Sequence, residues 1–538
     1  MSPSGSVRPP EGPVSWARRW PWLSGLVVAA IFFGLGLFTL HDFGRTWDEE
    51  LSYRAGLRNL EILPEVLTAR ADVEWPWVKL TGYQYVMDTL RVWLALKANH
   101  IFGWNDDPIL GFHLFHLVLA TSTILFTFGV ALELTGRIRP ALLAAVVLAT
   151  LPKFIAHSQS NPKDVLGLFT CSAAMLAGVS AARSGRLAGY LAAGAVAGLA
   201  LTSHVVSLFH LPMLAAWILA AGRGTPPRRV LGLGGLLVAT AAAAFLSWPW
   251  LWPAPWERLR IAYETIRVWD LPMSVLYLGT VYPHATPPLH YFVVSLAVAT
   301  PLLFLVGAAL GVATLARGKT DEEPGRRRLA VFASLWFGAL AVAEAFATAR
   351  YDGVRHLLAI LPPFALLAAT GLDSVLATIR AMWTRGGWRR GVALAGSATL
   401  VLAYVGTLAQ LRAIHPYQDA YLNEAVNAAI PGHAEDVFEL EYWAGTYKEG
   451  GAWLNEHVPD PAAVLAPFAP QVAYHAIDRR FTLINTDHSG GYQGPQYLML
   501  ITRKALYTPR IVDVRARLQP IFTIQRQKAT LLEIYRLQ

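Results

Sequence analysis

Apolar runs long enough to cross a bilayer recur through the first 410 positions of this 538-residue chain. About 18 to 20 consecutive apolar residues suffice for a helix to span the hydrocarbon core, and about eleven runs reach that length. They lie near 23–40, 108–134, 138–156, 164–182, 187–203, 205–222, 229–248, 289–316, 329–348, 356–379 and 391–410. With 54% hydrophobic and only 15% charged residues, the chain reads as a polytopic α-helical membrane protein. The first run lacks a small-residue cleavage site and is expected to remain as an anchor. A net charge of +9 does not point to nucleic acid, because the basic residues are scattered in short clusters between apolar runs. The single cysteine, Cys171, allows no disulfide within the chain and no cysteine-based metal site.

Those basic clusters set an expected orientation. Arg8, Arg18 and Arg19 precede the first run, and alternate loops carry Arg137 with Arg139, Arg183 with Arg186, Arg223 with Arg228 and Arg229, Arg317 with Arg326 to Arg328, and Arg385 with Arg389 and Arg390. The positive-inside rule puts all of these in the cytoplasm. The segment YQYVMDTLRVWLALKANHIFG (83–103) would be a twelfth span, but it holds Asp88, Arg91 and Lys97 and would invert every later cluster. It reads as an amphipathic helix in the interface. The expected organisation is a cytoplasmic tail at 1–22, a membrane domain at 23–410 whose first outer loop is 41–107, and an outer α/β domain at 411–538. In that last segment AAVLAPF, RFTLI, QYLMLITR, IFTIQ and TLLEIYRL have the character of strands.

Charged residues gather in the outward loops. The stretch GRTWDEELSY (44–53) places Asp48, Glu49 and Glu50 just after the first span. Thr46 with Glu49 fits a capping box. A carboxylate there could equally act as a general base on an acceptor from outside, its pKa raised by partial desolvation near lipid. FIAHSQSNPKD brings His157, Lys163 and Asp164 to the same face, with Asn161 and Pro162 placed to start a helix. ATARYDGVRH holds Arg350, Asp352, Arg355 and His356, positive charge on the side where the rule disfavours it. An arginine there could clamp a lipid-linked phosphate, or simply pair with carboxylates. LSWPWLWPAPWERLR reads as an interfacial aromatic belt. HPYQDAYLNEAVNA and FELEYWAGTYKEGGAWL open the outer domain with carboxylates and aromatics interleaved, including Tyr442 and Trp443, a composition suited to sugar faces or to ordinary packing. There is no Walker A loop and no HExxH.

The acidic pair after the first span, the amphipathic helix in that loop, about eleven spans and an outer C-terminal domain together resemble the GT-C superfamily of polyprenyl-phosphate-sugar glycosyltransferases. The likeness is to the bacterial protein O-mannosyltransferase and lipid A aminoarabinose transferase branch. Its motif-level support is TWDEE, HSQSNPKD, YDGVRHLLAILPP and HPYQDAYLNEAV with FELEYWAGTYKEG. The resemblance implies that Asp48 is the catalytic base with Glu49 as neighbour, and that Arg355, then Lys79, Lys163, Arg350 and His356, hold the donor phosphate. WVKLTGYQY, around Lys79, departs from the family's Lys or His followed by a proline pair. His157, Asp164, Asp352, Tyr442 and Trp443 are candidates for acceptor contact or support. A single displacement, hence inversion, is implied, at the outer face of a bacterial inner membrane with the N-terminus cytoplasmic. No cofactor or metal is required on that account, and a divalent cation near Asp48 and Glu49 stays open. The expected partners are the polyprenyl-phosphate sugar, an acceptor protein, lipid or glycan, and the bilayer. A flippase or transporter of lipid-linked sugars is the competing reading, and a scaffold subunit for envelope assembly a third.

Overall fold

The computed structural model describes residues 20–68, 84–104, 107–267, 273–316, 324–345, 347, 349–484 and 496–537. Every apolar run becomes helix. Among the described residues six helices are long and apolar enough to cross a membrane: Pro21–Phe38, Ile109–Thr135, Asp164–Ser184, Pro226–Ser247, Arg355–Arg385 and Trp388–Ile414. The chain is therefore a multi-pass membrane protein. The expected count of eleven spans is not reproduced by length and composition, because several runs are broken or short. The run at 138–156 forms Ile138–Ala149 and Pro152–Ser160, bent by 63°. Pro152 cannot donate a backbone bond and its ring clashes with the preceding turn, so the helix restarts there. The run at 289–316 is split at Pro301 into Tyr291–Val298 and Leu302–Ala313 in the same way. Leu187–Ser203 and Val205–Ala221 are shorter apolar helices.

Packing sorts the spans into centre and periphery. The apolar window of Arg355–Arg385 is 89% buried, that of Trp388–Ile414 only 11%. The first therefore runs through the protein and the second shows its side chains to lipid. Close approach to the central helix depends on small residues: a Cβ on Gly371 would stand 2.0 Å from the Gly307 carbonyl oxygen, and one on Gly311 2.0 Å from that of Leu367. Two backbones cross there with nothing between them.

The expected interfacial segment is a helix, Tyr85–Phe102. Its inward stripe is Tyr85, Asp88, Arg91, Val92, Ala95 and Asn99, while Leu90, Trp93, Ile101 and Phe102 are exposed. Charge faces the protein and apolar bulk faces out, the reverse of a helix on a water-soluble domain. Asp88 and Arg91 pair at 2.5 Å, and Arg91 also donates to the Pro162 carbonyl, tying the helix to the turn before Asp164.

Beyond the last span the five expected strands form one sheet, β3 (Ala463–Leu465), β4 (Thr482–Ile484), β5 (Tyr497–Ile501), β6 (Phe522–Arg526) and β7 (Ala529–Arg536), in the order β4-β3-β5-β7-β6. β3 runs parallel to β4 and β5, whereas β7 is antiparallel to β5 and β6. Leu498, Met499, Leu500, Leu531, Leu532 and Ile534 fill its core together with Leu454 from the helix Tyr447–His457. The loop at 249–288 contains a hairpin the sequence did not announce, β1 (Ser274–Tyr277) with β2 (Thr280–Pro283). Tyr277 bridges to Phe438, which fastens this loop to the sheet domain.

Candidate functional site

Asp48 ends the first loop's approach to the helix Glu49–Glu61. Half of the capping box is made: Glu49 Oε2 accepts from the Thr46 backbone N–H at 2.8 Å. The Thr46 hydroxyl donates instead to the Ser160 carbonyl at 2.7 Å, which carries the loop onto the broken span. Glu49 is fully buried with its other oxygen 2.8 Å from His113 Nε2. Its carboxylate caps and packs, and it does not face outward beside Asp48. Glu50 turns elsewhere too, to Arg54 at 2.6 Å, with His475 and Arg45 each at 3.5 Å. Its pKa falls to about 2, chiefly through the His475 hydrogen bond.

Asp48 itself meets Arg355. The Arg355 guanidinium is 9% exposed and bonds three carboxylates, each through a different nitrogen: Nη2 to Asp48, Nη1 to Asp352 at 2.6 Å and Nε to Asp164 at 3.1 Å. Its face lies 4.1 Å from the Trp443 ring centre, a cation–π contact that fixes the plane of the fork. Lys163 Nζ stands 3.6 Å from Asp48 with its side chain 40% exposed. Arg503 Nη2 reaches the second oxygen of Asp352 at 2.7 Å. Three carboxylates thus face Arg355, Lys163 and Arg503, and a buried cluster of this kind is tolerable only because opposite charges are paired and hydrogen-bonded.

The desolvated Asp48 was expected to have a raised pKa. The structure reverses the direction: burial does push it up, but Arg355 and then Lys163 outweigh burial and hold the carboxyl below its ordinary value. Asp48 is an ionised, paired carboxylate in this state.

Around that centre, Asn161 starts the helix Asp164–Ser184 as its sequence suggested. Its Oδ1 accepts from the N–H groups of Lys163 at 3.2 Å and Asp164 at 2.9 Å, and its Nδ2 lies 2.8 Å from Asp164 Oδ2 and 3.0 Å from His157 Nδ1. His204 Nε2 meets the other Asp164 oxygen at 3.0 Å. His157 is buried, with Nε2 3.5 Å from the Tyr442 hydroxyl and its ring edge-on to Trp443. Asp48, Lys163, Asp164, Asp352, Arg355, His157, Tyr442 and Trp443 therefore come together. His356 lies one residue on, its ring against Tyr351. Arg350 donates to the Pro287 carbonyl at 3.3 Å and stands 4.0 Å from Glu344. Lys79 lies outside the described residues.

Several participants escaped the sequence. Lys153 follows the proline that breaks the span, and its buried ammonium donates to the Asp419 carbonyl and lies 3.5 Å from the Tyr442 hydroxyl. Lys153, Asp419, Glu439 and Tyr442 line a cavity of about 40 Å³ between the hairpin, the broken span and the sheet domain, enough space for a few waters. Burial raises Asp419 to about 6 and Glu439 to about 7. A charge just behind an in-span proline was the available signal for Lys153. Among the described residues no group of three or more His, Cys, Asp or Glu side chains is arranged to hold a metal ion.

Residues 90–248 match the family model described as dolichyl-phosphate-mannose-protein mannosyltransferase. The GT-C resemblance is borne out. The matched segment holds His157, Lys163 and Asp164 but neither Asp48 nor Arg355, and it is just under a third of the chain. No curated protein matches by sequence. Among solved structures, the chain is similar to the archaeal oligosaccharyltransferase AglB from Archaeoglobus fulgidus, described in complex with an inhibitory peptide and a dolichol-phosphate, at 14% identity and a TM-score of 0.49, covering 90% of this chain and 70% of that one. ArnT from Cupriavidus metallidurans is similar in its apo state at 14% identity and a TM-score of 0.48, covering 97% and 98%, and bound to undecaprenyl phosphate at 14% and 0.45, covering 96% and 98%.

Proposed function

We propose that the chain is an inverting glycosyltransferase that moves a sugar from a polyprenyl monophosphate to an acceptor hydroxyl at the outer face of a bacterial inner membrane. The observation that carries the reading is the contact of Asp48 with both Arg355 and Lys163, a carboxylate base touching the two cations best placed for a phosphate. The family match supports the donor class, since its description names a polyprenyl-phosphate-linked sugar.

The pairing suggests an order of events. Without donor, Asp48 is neutralised by Arg355 and Lys163 and is a poor base. A phosphate entering beside Lys163 competes for the same N–H groups, and guanidinium binds two phosphate oxygens as readily as two carboxylate oxygens. As the cations turn to the phosphate, Asp48 loses its stabilising partners and its proton affinity rises. The freed carboxylate takes the proton of the acceptor hydroxyl while that oxygen attacks the anomeric carbon. The bond to the phosphate oxygen breaks with its electron pair, and Arg355 and Lys163 stabilise the departing phosphate's charge. One displacement inverts the anomeric centre.

A transfer assay with purified protein and radiolabelled polyprenyl-phosphate sugars tests this. Label should leave the lipid with wild type and stay on it with Asp48→Asn. Binding of the lipid-linked sugar without release, for every sugar and acceptor offered, would favour the transporter reading instead.

A further inference from the structure

Arg503 follows β5 in the sheet domain, far from the membrane spans in sequence, and its side chain is 2% exposed. Its nitrogens are all engaged: Nη2 with Asp352 at 2.7 Å, Nε with Glu439 at 2.8 Å, and Nη1 donating to the Tyr442 carbonyl at 3.1 Å. The guanidinium also lies 5.2 Å from the Trp47 ring. Three of these partners, Asp352, Tyr442 and Trp47, are one step from the centre described above. Asp352 gives its other oxygen to Arg355. Tyr442 precedes Trp443, the ring on which Arg355 lies, and Trp47 precedes Asp48. The Trp47 N–H donates to the Trp443 carbonyl at 3.0 Å, which closes the ring of contacts.

Asp352 adds a backbone argument. It sits at φ 56° and Gly353 follows at φ 64°. The left-handed region is unfavourable for an L-residue, though less so for Asp than for most, and side-chain bonds from Asp352 help to hold the turn. Two arginines supply them, Arg355 from the membrane part and Arg503 from the sheet domain.

We propose that Arg503 is a positioning residue: through Asp352 and the Trp47–Trp443 pair it sets the Arg355 fork against Asp48, so the site is complete only with the sheet domain docked. The consequence for phosphate binding rests on the function proposed above, and the positioning itself does not. Among the described residues Asp352 takes side-chain bonds from Arg355 and Arg503 alone, so loss of Arg503 leaves its second oxygen unpaired.

The test compares wild type with Arg503→Met and Arg503→Lys, each checked for a cooperative melt, with Asp352→Asn as a second variant that keeps shape. Hydrogen exchange of a peptide spanning 350–358 and the Kd for a sugar-free polyprenyl monophosphate are measured. Expected are faster exchange of that peptide in the methionine variant, a Kd weakened by roughly 3- to 30-fold, and substantial recovery of both with lysine. Unchanged exchange and an unchanged Kd in a folded methionine variant would overturn the positioning role and leave a plain inter-domain ion pair. Weak phosphate binding by wild type would sink the proposed function, while the exchange comparison would still decide the role of Arg503.

Discussion

Asp48 and Arg355 stand 307 positions apart in the chain and share a hydrogen bond in the fold. The contact makes the candidate base and the candidate phosphate ligand one unit. It also means that the carboxylate most suited to take a proton is, at rest, held in its weakest basic state by Arg355 and Lys163.

That coupling separates two pH limbs. The acid limb of kcat/KM reports the free enzyme and that of kcat the donor-bound one. In the free enzyme Asp48 faces Arg355, Lys163, Asp164 and His356, and its carboxyl lies below the ordinary range, so kcat/KM should keep its base to below about pH 4. Once the phosphate has drawn the cations away, Asp48 protonates at higher pH, and the kcat limb should lie above that of kcat/KM. Rate profiles at limiting and saturating donor measure both, and coincident limbs would show that donor binding does not release Asp48.

Arg355→Lys keeps the charge and loses the fork. An ammonium cannot serve Asp48, Asp164 and Asp352 from three fixed directions, nor lie flat on Trp443, so the change is not conservative here. Two or more charge-assisted bonds are lost at about 1.5–3 kcal/mol each before relaxation. Donor kcat/KM should fall by roughly 100-fold or more, with a lowered melting temperature. A variant within a few-fold of wild type would remove Arg355 from the centre of the site.

How much of this was legible in the sequence depends on what kind of signal each residue left. Apolar helices and strands were readable because apolar length and alternation are local, though not which runs break at a proline, and Asn161 was readable because capping is local as well. Asp48, Lys163, Asp164, Asp352 and Arg355 could be grouped by asking which side of the membrane each loop faces. Lys153 was lost inside an apolar run, because only the bend at Pro152 turns that position out of the span and into a cavity. Arg503 looked like an ordinary strand end, and its significance depends on how the sheet domain docks, which no spacing encodes. The pKa of Asp48 escapes the sequence for the same reason: burial follows from the loop's place at the membrane, whereas the guanidinium 307 positions away leaves no local signal.

The buried acids behind the site make stability fall with pH. Glu441 is 1% exposed, and burial, then the nearby charge of Asp419, raises its pKa well above the ordinary value. A carboxyl whose pKa is higher in the folded state adds stability that is complete below its unfolded value, about pH 4.3, and is lost progressively as pH rises towards the folded one. Glu441→Gln has nearly the same shape and never ionises. Melting temperatures in detergent should be close for wild type and variant near pH 4.5 and higher for the variant near pH 8. A variant that loses stability equally at both would mean that Glu441 is needed as a carboxylate.

Glu49 and Asp48 are neighbours with opposite expected phenotypes. Asp48→Asn removes the proposed base while keeping the size of the side chain, and transfer should drop by about 100-fold or more, in line with general-base contributions. Glu49→Gln can still accept the Thr46 N–H through its amide oxygen, but it places an uncharged amide against buried His113. An imperfectly satisfied buried polar pair costs about 1–3 kcal/mol, so the loss should appear in the melting temperature while kcat per folded molecule stays within a few-fold. Glu49→Ala removes the cap as well and should be less stable again. If instead Glu49→Gln is as inactive as Asp48→Asn in a fully folded preparation, the two carboxylates act together and Glu49 belongs to the chemistry after all.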